Sequence, residues 1–144
     1  MFSKACEYGI RATLLIASKS LHGERVSLKE IAADIGSPEA FTAKILQDLA
    51  RNKVVKSLKG PHGGFEMTRE DIDNLRLVQI VSAIDGDKLF SGCGLGLSAC
   101  SEEHPCPVHH KFKVVRDQLE TMLRNTSVYE MATGYDIGLT VLRR

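Results

Sequence analysis

No run of apolar residues approaches the ~20 that a helix needs to span a bilayer. The opening Met1-Phe2-Ser3-Lys4-Ala5 leads into an amphipathic pattern rather than a signal-peptide core. No membrane partner is therefore expected, and the cytoplasm is the expected compartment. Internal repeats and low-complexity tracts are absent. An excess of one charge is missing too, since 19 Lys/Arg against 18 Asp/Glu leave a net +1. The histidines have no evident acid or nucleophile beside them, and Gly60-Pro61-His62-Gly63-Gly64 has neither the spacing nor the lysine of a phosphate loop, so an enzyme is not expected. Cysteine is scarce, at four residues, but Cys93, Cys100 and Cys106 fall close together. Three clustered thiols cannot all pair within one chain, and in a reducing compartment they point to metal or redox chemistry rather than a disulfide framework.

With 144 residues and 43% hydrophobic content, the chain can bury a sizeable core. The near-neutral total hides a mild asymmetry: residues 1–70 carry 11 Lys/Arg against 8 Asp/Glu, and residues 71–144 carry 8 against 10. Arg51, Lys53, Lys56 and Lys59 follow one another without an intervening acid, which suits a surface facing phosphates.

Apolar positions spaced by three and four predict a helix over residues 5–20, ended by His22-Gly23-Glu24. Ser27-Leu28-Lys29-Glu30 has the form of a capping box, Ile31, Ala32 and Ile35 supply the stripe behind it, and Gly36 supplies the stop. Ser37 as N-cap and Pro38 in the first turn predict a third helix running to about Asn52. Two short helices joined at a glycine have the layout of a helix-turn-helix. Val54–Leu58 and Phe65–Thr68 read as strands joined by a glycine-rich turn, and a basic hairpin after a helix-turn-helix makes a winged helix. A turn of helix at 71–75, a helix over 77–85 stopped by Gly86, and a long helix from His109 complete the outline, with Ser127–Glu130 opening a short last one. The fold class is mainly α with a small β-hairpin wing: a winged helix-turn-helix domain over 1–86, a cysteine-rich loop over 87–110, and a dimerisation helix with a closing segment over 111–144. Phe112, Val115, Leu119, Met122 and Leu123 form a near-heptad stripe, which pairing with the same helix of a second chain would cover.

Helix-turn-helix proteins insert the N-terminal residues of the second helix into the major groove, making Ser37, Glu39, Ala40, Phe41, Thr42 and Lys44 the candidate contacts, with core packing as the alternative for Phe41. On the wing, Lys56, Lys59 and His62 would meet phosphates or the minor groove. In the loop, Cys93, Cys100 and Cys106 are soft ligands suited to an iron–sulfur cluster or to zinc, and the glycines around Cys93 let the backbone wrap a compact object. The fourth ligand is open: His109 lies three residues beyond Cys106, His104 and His110 are near it, and Glu7 and Cys6 on the first helix could approach in a dimer.

Glu7-Tyr8-Gly9-Ile10-Arg11-Ala12, the helix-turn-helix, Leu58-Lys59-Gly60-Pro61-His62-Gly63-Gly64-Phe65, Ile80–Gly86 and the three cysteines together resemble the IscR/NsrR family of bacterial winged-helix transcription regulators. The resemblance covers nearly the whole chain. It implies a homodimer whose long helices cross-pair, a roughly palindromic double-stranded DNA operator, and a [2Fe-2S] or [4Fe-4S] cluster sensing redox state, nitric oxide or cluster supply. By the resemblance, Cys93, Cys100 and Cys106 match the cluster thiolates, His109 matches the histidine ligand of one branch, and Glu7 falls where another branch uses a carboxylate. Two departures stand out: six residues separate Cys93 from Cys100 where five is usual, and Lys59 replaces a common wing arginine. The alternatives are a zinc-stabilised or thiol-based DNA-binding regulator and, from a different class, a protein-binding adaptor.

Overall fold

The helix α1 (Lys4–Leu21) is surrounded by the rest of the chain, because its middle is apolar or small on nearly every side. Ala12 through Ser18 are all buried, and Leu15 and Ile16 fully so, each contributing about 1.5–3 kcal/mol by leaving water. Ser3 caps the helix by accepting the Cys6 N–H at 3.0 Å, and Asp85 accepts the Ser3 N–H at 2.9 Å. Gly9 lets other helices approach closely: a methyl group there would overlap Ile84 Cδ1 and stand 3.3 Å from Ile45 Cγ2. The computed structural model describes residues 1–144.

The capping box forms as its spacing predicts. Glu30 N–H donates to Ser27 Oγ and Ser27 N–H to Glu30 Oε2, both at 3.2 Å, opening α2 (Leu28–Ile35), and Gly36 ends it in the left-handed region at φ 69°. The next helix corrects the sequence reading. α3 (Glu39–Arg51) has Pro38 rather than Ser37 as its N-cap, and no side chain caps it. Pro38 is extended and its carbonyl accepts the Thr42 N–H at 2.9 Å, so Ser37 stands one residue too early to cap; its buried hydroxyl has no partner. Ile45, Leu46 and Leu49 face α1 and complete the helix-turn-helix.

Strands β1 (Lys56–Leu58) and β2 (Gly64–Glu66) pair antiparallel with Ser57 opposite Phe65. They are shorter than expected. Val54 and Val55 are core residues that lead into the hairpin, and the return strand ends at Glu66 with Met67 buried behind it. An isolated bridge between Val26 and Phe65 ties the wing to the entry of α2, with Phe65 N–H donating to Val26 O at 2.8 Å.

Thr68 caps α4 (Arg69–Asn74), and α5 (Leu77–Asp85) lies along α1 until Gly86 stops it. A single turn unforeseen in the sequence, α6 (Lys88–Ser91), leads into the cysteine loop. Beyond it, α7 (His109–Asn125) buries Leu123 and His109 but leaves Phe112, Val114, Val115 and Met122 exposed. Ser127 caps α8 (Val128–Asp136) by accepting the Glu130 N–H at 3.0 Å, and Val128 and Ala132 join Leu123 in the same buried cluster as α1 and α5. No helix is long and apolar enough to cross a membrane.

Candidate nucleic-acid interface and cysteine loop

Of the predicted contacts on the second helix of the helix-turn-helix, Glu39, Ala40 and Lys44 are exposed. Phe41 is half-buried and meets Tyr8 edge-on, with ring centroids 5.8 Å apart at 85°. Thr42 and Ser37 face inward instead. Thr42 is fully buried with its hydroxyl donating to Pro38 O at 2.9 Å, so it belongs to the start of the helix and is removed from the exposed set. Ser37, also buried, leaves that set for the same reason.

Tyr8 couples α1 to this head. Lys4 Nζ and the Arg11 guanidinium lie 5.3 Å and 4.9 Å from its ring centre, and Arg11 Nη1 donates to Ile35 O at 3.2 Å, at the last turn of α2. On the wing, Lys56, Lys59 and His62 are all exposed. Their support comes from a residue that the sequence reading missed. Arg25 Nη1 donates to His62 O at 3.0 Å and its Nε to Glu66 Oε2 at 2.9 Å, bracing the hairpin against the loop between α1 and α2. Nothing in the spacing of Arg25, 37 residues before His62, signals that contact.

The cysteine loop folds back on α7. The segment Cys93–Gly96 makes a turn closed by Gly96 N–H on Cys93 O at 2.9 Å, with Gly96 at φ 73°. Leu95 N–H points at Cys93 Sγ, 3.4 Å away. Backbone N–H groups, that of Leu95 foremost and that of Leu97 next, lower the Cys93 thiol from its ordinary value, and the Cys106 side chain beside it acts in the same direction. Cys100 Sγ lies 3.3 Å from Nδ1 of His109, which opens α7. His109 is 4% exposed and its Nε2 is buried without a partner. Arg116, two turns further along α7, donates through Nη1 to Gly92 O and, at 3.4 Å, to Cys100 Sγ, and so fastens both the start and the middle of the loop; the sequence gives no sign of it.

Glu7 is half-buried on α1 and pairs with Lys4 Nζ at 3.2 Å. Neighbouring Cys6 is fully buried, its thiol pushed up to about 12 by burial first and by Asp85 second. No three His, Cys, Asp or Glu side chains in the chain form a group that could hold one metal ion. Among the loop donors, Cys100 and His109 are in direct contact.

A helix-turn-helix followed by a two-stranded wing defines a winged-helix, DNA-binding type of protein. The chain belongs to the Rrf2 family, described as iron-dependent transcriptional regulators, whose model matches residues 2–134. It is 31% identical over 134 residues to an Aquifex aeolicus protein assigned as an HTH-type transcriptional regulator, covering 91% of this chain and 90% of that one. To the Escherichia coli HTH-type transcriptional regulator IscR it is 25% identical, covering 90% of this chain and 78% of that one. Among solved structures, CymR, the global cysteine regulator of B. subtilis, superposes with a TM-score of 0.73 at 19% identity over 92% of this chain and 96% of that one. IscR of T. potens superposes with the same TM-score at 18% identity, over 98% of this chain and 92% of that one. The protein is thus a transcriptional regulator rather than an enzyme.

Proposed function

We propose that the protein is a dimeric, cytoplasmic transcription regulator whose affinity for a roughly palindromic operator is set by an iron–sulfur cluster on residues 87–110. The observation that carries this reading is the contact of Cys100 Sγ with Nδ1 of the buried His109, whose Nε2 has no partner, in a loop that also holds Cys93 and Cys106. When bound, the cluster would supply a redox-active and nitric-oxide-sensitive centre. Cys93, Cys100, Cys106 and His109 would hold it, as a [2Fe-2S] or [4Fe-4S] cluster. Glu7 would act as a ligand only from a second chain, because its own chain keeps it on α1 beside Lys4.

The rest of the chain supports regulation through geometry. Phe112, Val115 and Met122 are exposed on α7 by 45%, 62% and 46%, at a spacing that makes one stripe suited to the same helix of a second copy. Glu39, Ala40 and Lys44 on one side and Lys56, Lys59 and His62 on the other would read DNA from the head formed by residues 1–86. Half-sites lie about 34–36 Å apart, so a small change in the angle between two heads decides whether both engage. The loop joins α6 to α7, between the head and the dimer stripe, where its ordering bears on that angle.

A thiol switch without a cluster is the second reading, favoured by the Cys93 thiol, which the N–H groups of Leu95 and Leu97 lower from its ordinary value. Anaerobic purification followed by a visible spectrum and iron, sulfide and zinc analysis separates the readings. Iron and sulfide in equal amounts with a charge-transfer spectrum support the cluster. Zinc without sulfide, or bare thiols, would remove it.

A further inference from the structure

The helix-turn-helix is short of positive charge. From Leu28 to Arg51 it carries Lys29, Lys44 and Arg51 against Glu30, Asp34, Glu39 and Asp48, so the two helices expected to approach phosphates bring no cationic excess of their own. The wing lysines offset this at one end. At the other end, where α2 turns into α3, positive charge comes from elsewhere in the chain.

Two guanidinium groups reach that turn. Arg11 comes from α1, but it is half-buried against Tyr8 and bonded to Ile35 O. The second is Arg143. Its Nη1 donates to Ala33 O at 3.0 Å, and its Nε and Cζ pass 3.4 Å and 3.5 Å from where a Cβ of Gly36 would stand. Arg143 is exposed, and a guanidinium has five N–H donors, of which one is engaged here.

The segment that follows α8 reaches this point by an ordered route. Asp136 is fastened to α1 through Ser18 Oγ at 3.0 Å and His22 Nε2 at 2.8 Å. Gly138, at φ 78°, reverses the chain, with Leu139 N–H closing on Gly134 O at 2.9 Å. Leu142 then packs against the main core, and Arg143 is the next residue.

We propose that Arg143 is a phosphate contact of the DNA-reading head, supplied by the segment after α8 to the side of the helix-turn-helix opposite the wing. The inference rests on the DNA-binding function proposed above. The turn at Gly36 leads directly into the N-terminal end of α3, the end that enters a major groove, and the backbone phosphates border the groove at that point. Capping the carbonyl end of α2 orients the guanidinium and leaves its remaining donors for a phosphate.

The full chain and its Arg143→Ala, Arg143→Gln and Arg143→Lys variants are titrated against a labelled mixed-sequence duplex of about 30 bp, long enough for both half-sites, over a series of NaCl concentrations. Arg143→Ala and Arg143→Gln should bind several-fold more weakly and flatten the slope of log K against log[salt] by about 0.9 for each protomer engaged. Arg143→Lys should keep the slope. An unchanged slope in Arg143→Ala at an unchanged melting temperature would mean that Arg143 only caps α2, and tighter binding would mean that the segment obstructs DNA; either overturns the proposal. Should the neutral variants fail to fold, phenylglyoxal modification of the wild-type chain decides, since bound duplex must protect Arg143 and equal labelling with and without DNA refutes the contact. Wild-type protein without salt-dependent binding would sink the DNA-binding reading itself, whereas normal wild-type binding with an unaffected Arg143→Ala sinks this inference alone.

Discussion

His109 Nδ1 lies 3.3 Å from Cys100 Sγ, on an imidazole that is otherwise buried with Nε2 unpartnered. A buried polar group without a partner costs about 1–3 kcal/mol. That cost is understandable at a ligand position and unneeded at a purely structural one. In metal-free protein, His109→Leu should therefore melt at or above the wild-type temperature while retaining less iron on reconstitution. A clear fall in the melting temperature of the metal-free variant would make His109 a structural residue.

The two kinds of cysteine should differ in reactivity. Burial and the nearby Asp85 carboxylate push Cys6 up to about 12, whereas the N–H groups of Leu95 and Leu97 lower Cys93. At neutral pH, iodoacetamide should label Cys93 of the metal-free chain early and Cys6 only after denaturant is added. Mass spectrometry of timed samples gives the order, and early modification of Cys6 would contradict its burial.

Asp136 links α8 to the end of α1. The bond from His22 and then that from Ser18 hold its carboxyl below the ordinary carboxylate value. Because the folded value is the depressed one, the pair stabilises the fold above the ordinary carboxylate range, and that stabilisation is lost as pH falls through the folded value. Asp136→Asn should lower the melting temperature near neutrality and make the acid-side decline shallower. Parallel melting curves for the two proteins from pH 7 down to pH 3 would rule the linkage out.

The wing depends on a backbone shape that glycine supplies. Gly64 sits at φ 134°, and a methyl group there would lie 2.7 Å from Val26 O, a backbone atom that cannot rotate away. Gly60, at φ 100°, has nothing within 4 Å. Gly64→Ala should cost about 1–3 kcal/mol and loosen the Val26–Phe65 bridge. Gly60→Ala should cost less, a difference that urea denaturation of the two variants measures directly.

Lys44 is exposed on the reading helix and Lys59 at the wing tip. The double variant Lys44→Ala/Lys59→Ala should weaken DNA binding across sequences and reduce the salt slope by about 0.9 per lost phosphate contact. Lysine offers a point charge rather than a planar fork, so Lys59→Arg should restore slope and gain affinity at sites with a narrow minor groove. A slope unchanged in the double variant would take both lysines out of the interface.

Much of the fold was legible locally. Ser27 with Glu30, Gly36 and Gly86 act within four residues of themselves, through orphan N–H groups and left-handed backbone, so their spacing predicts helix ends directly. The reading of Ser37 as a cap failed by one residue, because Pro38 could take the extended cap conformation itself. Thr42 was misplaced for a related reason: a polar residue in the first turn can satisfy its hydroxyl on the carbonyl four residues back and be buried.

The sequence alone determined the order of helices, the wing, the clustered thiols and the apolar stripe of α7, since each follows from residue type and spacing along a single element. The tertiary structure decided which side chains meet. Arg25 under the wing, Arg116 on the cysteine loop and Arg143 on the turn of the helix-turn-helix act 16 to 110 residues from their partners. A long cation can bond any carbonyl within its reach, so no spacing rule announces which one it meets. The packing of α1 against α3, α5 and α8, and of α6 against α7, brings those carbonyls within reach.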